Sequence, residues 1–147
     1  MSTNKTSVLK TARKVLKIES KALTKLADNM PKDFAKLIFA IINCNGRVVV
    51  AGVGKSGHIA RKIAATLAST GTPSYFIHAT EASHGDMGMI LEQDICILIS
   101  NSGETSEMRD IVAHTRRFSI PMAAICSNLD STLMRAADFA LGLPDAA

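Results

Sequence analysis

The segment RVVVAGVGKSGH spans residues 47–58, and the fold turns on how it is read. Val48–Val50 form an uncharged apolar run, and glycines at 52, 54 and 57 follow it at once. A strand, a glycine turn and a helix start are the ingredients of a phosphate-binding loop, and two such loops nearly fit. The nucleoside-triphosphate pattern GxxxxGK[ST] would end at Gly54, Lys55 and Ser56, but its first glycine would fall on Val49, inside the strand. Without that glycine the loop cannot wrap a triphosphate, so ATP or GTP hydrolysis is poorly supported. The dinucleotide pattern GxGxxG is met by Gly52, Gly54 and Gly57. It also wants an acidic residue closing the second strand to hold a ribose. That strand, SYFIH, ends in His78 with Glu81 beyond it, which leaves NAD binding unconvincing.

Outward from this loop, short apolar runs alternate with amphipathic stretches. The runs are VVVAG (48–52), SYFIH (74–78), ICILIS (95–100), MAAICS (122–127) and FALGL (139–143). Between them lie SGHIARKIAATLAST, the loop-rich EASHGDMGMI, TSEMRDIVAHTRRF and STLMRAA. Continuous apolar strands separated by helices predict an α/β fold: a five-stranded parallel sheet, helices on both faces, flavodoxin-like. Ligands in such sheets bind beyond the carboxyl ends of the strands, near the topological switch point. Three segments stand there: GVGKSGH, HATEASHGDMG and SNSGETSE.

Two helices are expected ahead of the sheet, so the chain divides into helices at 1–46 and a sheet core at 47–147 of one domain. In the first, Lys10, Arg13, Lys14, Lys17, Lys21 and Lys25 alternate with Val8, Leu9, Ala12, Val15, Leu16, Leu23 and Leu26 at helical spacing. In the second, Pro31 is placed for the first turn and Gly46 for the stop, with Phe34, Leu37, Ile38, Ile41 and Ile42 on the apolar face. Charge is uneven: residues 1–47 hold ten Lys/Arg against three Asp/Glu, and residues 48–147 seven against ten. The basic face reads as a solvated helix surface rather than a nucleic-acid site, because there is no Trp and only one Tyr to stack on bases.

With 147 residues, 47% hydrophobic and 20% charged, the chain can build one ordinary core. No stretch is long and apolar enough for a membrane span, and MSTNKTSVLK lacks the core of a secretory signal, so a cytoplasmic protein is expected. Cys44, Cys96 and Cys126 form neither a CxxC pair nor a Cys/His cluster, and no metal or other cofactor is expected.

The loop after the third strand carries the most chemistry. ISNSGET runs from an apolar strand into Ser100, Ser102 and Thr105 around Gly103, then into a helix. Small hydroxyls and glycine let backbone amides approach an anion at a helix N-terminus. An ordinary N-cap would need one Ser and a Glu three residues later. Four such residues in six positions exceed that, and a single phosphate on a small ligand fits better than a dinucleotide.

GVGKSG with ISNSGET resembles the sugar isomerase (SIS) domain, and GKSGH, STGTP, EASHGD and SNSGE resemble the bacterial arabinose 5-phosphate isomerase family from about Leu9 onward. The resemblance implies an aldose–ketose isomerase that interconverts D-ribulose 5-phosphate and D-arabinose 5-phosphate through an enediol, feeding synthesis of the lipopolysaccharide sugar Kdo. It implies phosphate binding by Ser56, Ser100, Ser102 and Thr105, with Gly54, Asn101 and Gly103 in the same loops. It implies catalytic parts for Lys55, as a cation beside phosphate or enediolate, for His84 as a proton carrier, and for Glu107 as acid–base group or hydroxyl ligand. Glu104 offers the same chemistry as Glu107, which aligns better with the family's carboxylate. His58 is expected to pack inside its helix, and His78 and His114 to lack supporting neighbours.

Family members continue past the fifth strand with a glutamate, a Thr/Ser-rich helix and an HPGG motif, whereas this sequence ends at LPDAA. A C-terminally truncated domain that keeps its phosphate site with little turnover is the expectation. The alternative is a non-catalytic sugar-phosphate sensor, against which the first 47 residues look too short for a DNA-binding module. Assembly into a homodimer or homotetramer through the first two helices is expected, with a small-molecule sugar phosphate as ligand and neither nucleic acid nor membrane as partner.

Overall fold

Each apolar run beyond residue 47 becomes a parallel strand, because a run apolar on both sides must be covered on both sides. The computed structural model describes residues 5–145. β1 (Val48–Gly52), β2 (Ser74–His78), β3 (Ile95–Ile99), β4 (Met122–Cys126) and β5 (Phe139–Gly142) form one sheet in the order β2-β1-β3-β4-β5. Every neighbouring pair is parallel, as the flavodoxin-like reading requires. The last three strands stop one residue short of their apolar runs, where Ser100, Ser127 and the residue before Pro144 leave the ladder.

Side-chain alternation splits the core into two layers. Val48 and Val50 of β1 join Ile95 and Ile97 of β3 against α2 (Phe34–Ile42) and α3 (Gly54–Ser69), through Leu37, Ala60 and Ala64. Val49 and Ala51 join Cys96 and Leu98 on the opposite face, under α4 (Ala79–Ser83), α5 (Arg109–Arg117) and α6 (Thr132–Ala136). β1 and β3 are fully buried, and each Val or Ile sealed there contributes about 1.5–3 kcal/mol relative to exposure. Cys96 and Cys126 sit in these strands, where burial pushes the Cys96 thiol up to about 12 and raises that of Cys126 as well.

Because β1 feeds α3 on one face and β3 feeds α5 on the other, the chain parts company at the β1–β3 boundary. That boundary is the switch point, and it leaves a crevice at the carboxyl edge. Gly52 pairs in register with His78 on one side and Ile99 on the other, so the segments after β1, β2 and β3 emerge side by side.

The N-terminal helices differ from their sequence reading in detail. α1 (Lys5–Asp28) forms, but it buries no residue, and Leu16 and Leu23 are 64% and 68% exposed. Along it only Ala22 and Leu26 are half-buried, and Leu26 borders the same groove as Ala140 and Gly142 of β5. α2 starts at Phe34 rather than with Pro31 in its first turn; Pro31 accepts the Phe34 amide in the turn that precedes the helix. Only Leu37 is buried in α2, Ile41 is half-buried, and Phe34, Ile38 and Ile42 stay exposed at its ends and outer side. Asp33 holds the helix to the sheet edge instead, accepting the Ala140 amide of β5 at 3.2 Å and pairing with Lys36 at 2.9 Å. EASHGDMGMI is less loop-like than its composition suggests: it opens in the last residues of α4 and holds a 3-10 turn at Asp86–Met89. No helix among the described residues is long and apolar enough to cross a membrane.

Candidate functional site

The crevice is built from two strand-to-helix turns. In the first, β1 passes through Val53 into α3. A Cβ on Gly52 would lie 2.8 Å from the Ser56 carbonyl carbon and the Gly57 amide, so only glycine lets the first turn of α3 close onto the strand. Val53 gives α3 no side-chain cap, and the first-turn amides of a helix have no intrahelical partner. Gly54 adopts φ +56, and nothing stands within 4 Å of its missing Cβ. Lys55 is exposed and forms no ion pair among the described residues. Ser56 is half-buried beside it.

In the second turn, β3 runs into the loop Ser100–Thr105. Ser100 is buried, and its hydroxyl accepts the Gly103 amide at 3.0 Å while standing 2.8 Å from the Thr105 hydroxyl. Ser102 is exposed and its hydroxyl accepts the Glu104 amide at 3.2 Å, which leaves its own proton free to donate. Asn101 is tied to the neighbouring strand end: its Oδ1 accepts the Ser127 hydroxyl at 2.9 Å and its carbonyl the Ser127 amide at 3.1 Å. Thr105 leads into a 3-10 turn at Ser106–Met108 that has no side-chain cap, continuing into α5.

Glu107 lies in that 3-10 turn, half-buried, with its carboxylate accepting the Ser106 hydroxyl at 2.9 Å. Its own amide and the Ser106 hydroxyl, with a smaller contribution from the His78 imidazole, hold its carboxyl below the usual glutamate range. Glu107 is therefore ionised at neutral pH and equipped to accept a proton. Glu104 points elsewhere, to the start of α6, where its Oε1 accepts the Thr132 amide at 2.6 Å. His84 is exposed at the C-terminal end of α4, and α4 packs on the Ser106–Met108 turn that carries Glu107. Among the described residues no three His, Cys, Asp or Glu side chains gather as a metal site.

The chain matches the SIS domain over residues 40–147. It belongs to the SIS domain family. The resemblance to the arabinose 5-phosphate isomerases is borne out by a 50% identity over 129 residues to the arabinose 5-phosphate isomerase KdsD of Yersinia pestis, covering 88% of this chain and 39% of that protein. The uncharacterized protein RP505 of Rickettsia prowazekii is 45% identical over 134 residues, covering 91% of this chain and 42% of that one. The chain thus spans about two fifths of the length of these curated relatives. Among solved structures, E. coli CFT073 c3406 in complex with arabinose 5-phosphate superposes with a TM-score of 0.91 at 40% identity, over 99% of this chain and 79% of that one.

Within this SIS domain, several neighbours of the site escape the sequence patterns. His58 is exposed on α3 rather than packed, since it falls on the helix face opposite Gly57 and Ala60. His78 has a partner: its Nδ1 accepts the Thr80 amide at 3.3 Å, capping α4. His114 also has one, its Nε2 standing 3.3 Å from the Ile90 carbonyl while its ring tilts against Phe118. Ser131, fully buried, lies under Gly103 and caps α6 through the Met134 amide. The Ser131 signal was available, a Ser ahead of the helical TLMRA. The His78 signal was its place as the last residue of a parallel strand.

Proposed function

We propose that this chain binds the phosphate of a pentose 5-phosphate between the start of α3 and the loop Ser100–Thr105, as the substrate-holding part of an isomerase that interconverts D-ribulose 5-phosphate and D-arabinose 5-phosphate. The observation that carries this reading is the pair of helix starts without side-chain caps, after β1 and β3, at the switch point. Such amides favour an anion, and the hydroxyls of Ser56, Ser102 and Thr105 add donors without adding charge. The network behind them is compatible with this: the Gly103 amide donates to Ser100, and when the Ser100 hydroxyl donates to Thr105, the Thr105 proton is left for a phosphate oxygen.

Isomerisation removes the proton on C2 of the aldose while the C1 oxygen gains one, giving an enediol. The C2 hydroxyl then loses its proton as C1 gains one, giving the ketose. These transfers need a base and an acid close to both carbons. Glu107, ionised beside the phosphate loop, and His84, on the helix packed against it, share them in this reading, while Lys55 neutralises charge on phosphate or enediolate oxygen. The name of the Yersinia pestis relative and the sugar phosphate of the c3406 structure support this substrate class; a supply of arabinose 5-phosphate for lipopolysaccharide sugar synthesis is part of the proposal.

Self-association belongs to the same proposal. The exposed apolar stripe of α1 and the outer side of α2 fit a second copy of this chain, whose sheet core is acidic where α1 is basic. Light scattering that finds only monomer at high concentration overturns this part.

The deciding experiment is calorimetric titration of the chain with D-ribulose 5-phosphate, alongside Ser102→Ala. Saturable binding that weakens about tenfold in the variant supports the reading, since a hydrogen bond to a charged group is worth about 1.5–3 kcal/mol. No binding, or equal binding by the variant, overturns it.

A further inference from the structure

An acidic residue in the middle of an anion-binding loop is a contradiction that the geometry resolves. In SNSGET, Glu104 follows Gly103 directly, and a carboxylate turned toward the crevice would repel a phosphate. It is turned away. Its Oε1 accepts the backbone amide of Thr132, the first residue of α6, at 2.6 Å, a bond that holds its carboxyl below the usual glutamate range. One residue away on each side, the Leu133 amide donates to the Gly103 carbonyl at 3.1 Å. Beneath both, Ser131 fills the space that a Cβ on Gly103 would need.

We propose that Glu104 is a positioning residue, a latch that fixes the phosphate-binding loop to the start of α6 and so presets its amides and hydroxyls for the ligand. The inference rests on the functional reading above for its ligand, but the latch exists in the free protein and is measurable there. Two features set it apart from a plain helix cap. α6 already has its side-chain cap in Ser131, so Glu104 is not needed for that end of the helix. The Glu104 amide is itself bonded to the Ser102 hydroxyl, so a shift of Glu104 moves a proposed phosphate donor directly. Behind the loop, Gly103, Glu104, Thr105, Arg109, Thr132 and Leu133 border a cavity of about 220 Å³, which gives an unlatched loop somewhere to go.

The test removes the bond from either end. Glu104→Ala deletes the acceptor; Glu104→Gln keeps an oxygen in place without the charge. Thr132→Pro deletes the donor at the first position of a helix, where proline is tolerated. Amide exchange of Gly103, Glu104 and Thr105 is followed in the ligand-free proteins, and D-ribulose 5-phosphate is titrated into each. Glu104→Ala and Thr132→Pro are expected to speed exchange of the three amides about tenfold and to weaken binding about tenfold, with the double variant no worse than either single one. Glu104→Gln is expected to stay close to the parent, whereas in Glu104→Ala and Thr132→Pro KM is expected to rise more than kcat falls. Unchanged exchange in Glu104→Ala overturns the latch, as does additive loss in the double variant. A Glu104→Gln variant as weak as Glu104→Ala with parental exchange also overturns it, because charge rather than position would then be acting. If the parent binds no sugar phosphate, the functional reading falls, and the exchange rates alone decide the latch.

Discussion

Ser100 Oγ and Thr105 Oγ1 stand 2.8 Å apart across a loop whose ends they close. Ser100 is buried, and its hydroxyl also receives the Gly103 amide, so one side chain satisfies two groups of the turn. It builds the loop, and in the proposed function the donors to the phosphate are Ser56, Ser102 and Thr105.

Ser100→Ala is therefore expected to cost stability as well as affinity. The variant strands the buried Gly103 amide, a loss of about 1–3 kcal/mol. Urea denaturation is expected to give a lower midpoint with an unchanged slope. Ser102→Ala, on the exposed rim, is expected to denature like the parent. Equal midpoints for Ser100→Ala and the parent would refute the loop-building role.

Two glycines in left-handed conformation separate two kinds of strain. A Cβ on Gly54 meets nothing within 4 Å, so Gly54→Ala carries only the conformational penalty, about 1–2 kcal/mol. A Cβ on Gly103 would collide with Ser131 Oγ and lie 3.3 Å from Cys126 Sγ, adding an overpacking cost of about 1–3 kcal/mol. Gly103→Ala is expected to melt well below Gly54→Ala, and the reverse order would refute the packing of Ser131 beneath the loop.

These contrasts mark what a sequence can disclose. The strands were legible because apolar runs bounded by glycine or polar residues have few other uses, and both serine-rich turns stood where parallel strands end. The cap that Ser131 gives α6 was legible as a Ser ahead of TLMRA, but its place under Gly103 was not, because it acts across a gap in sequence, beneath a loop that leaves another strand. The basic first helix was legible as a helix, but its apolar stripe gave no hint that most of it stays exposed among the described residues. Pro31 misled for a local reason, since the Phe34 amide already closes a turn on Pro31 and the helix begins after that turn.

At the amino end of the strands, away from the crevice, Asp94 is a buried acid that ties two loops together. It is 2% exposed, and its carboxylate accepts the Arg47 amide at 2.8 Å and the Leu91 amide at 2.9 Å, with the Arg47 guanidinium at 3.4 Å. Asp94→Ala leaves both amides without partners and is expected to cost on the order of 3 kcal/mol. Because Asp94 precedes β3 at the amino end of the strand, ligand affinity of the folded fraction is expected to be unchanged. Denaturant titration and calorimetry on the same sample check both halves.

Glu107 supplies the pH signature of the proposed chemistry. Its carboxyl is held below the ordinary glutamate value of 4.5 by its own amide and the Ser106 hydroxyl. A base works in its ionised form, so its contribution is complete above that range and disappears as pH falls through its lowered value. Between about pH 5 and pH 7 the Glu107 step is expected to be flat, and any limb of kcat/KM there belongs to another group. Glu107→Gln is expected to lower turnover by about 10²–10⁴ with little change in melting temperature, because its carboxylate bonds are to its own amide and to exposed Ser106. Ser106→Ala removes the first side-chain support of the low value and is expected to move the acid limb upward. An acid limb that stays in place in Ser106→Ala, or undiminished turnover in Glu107→Gln, would take the proton transfer away from this carboxylate.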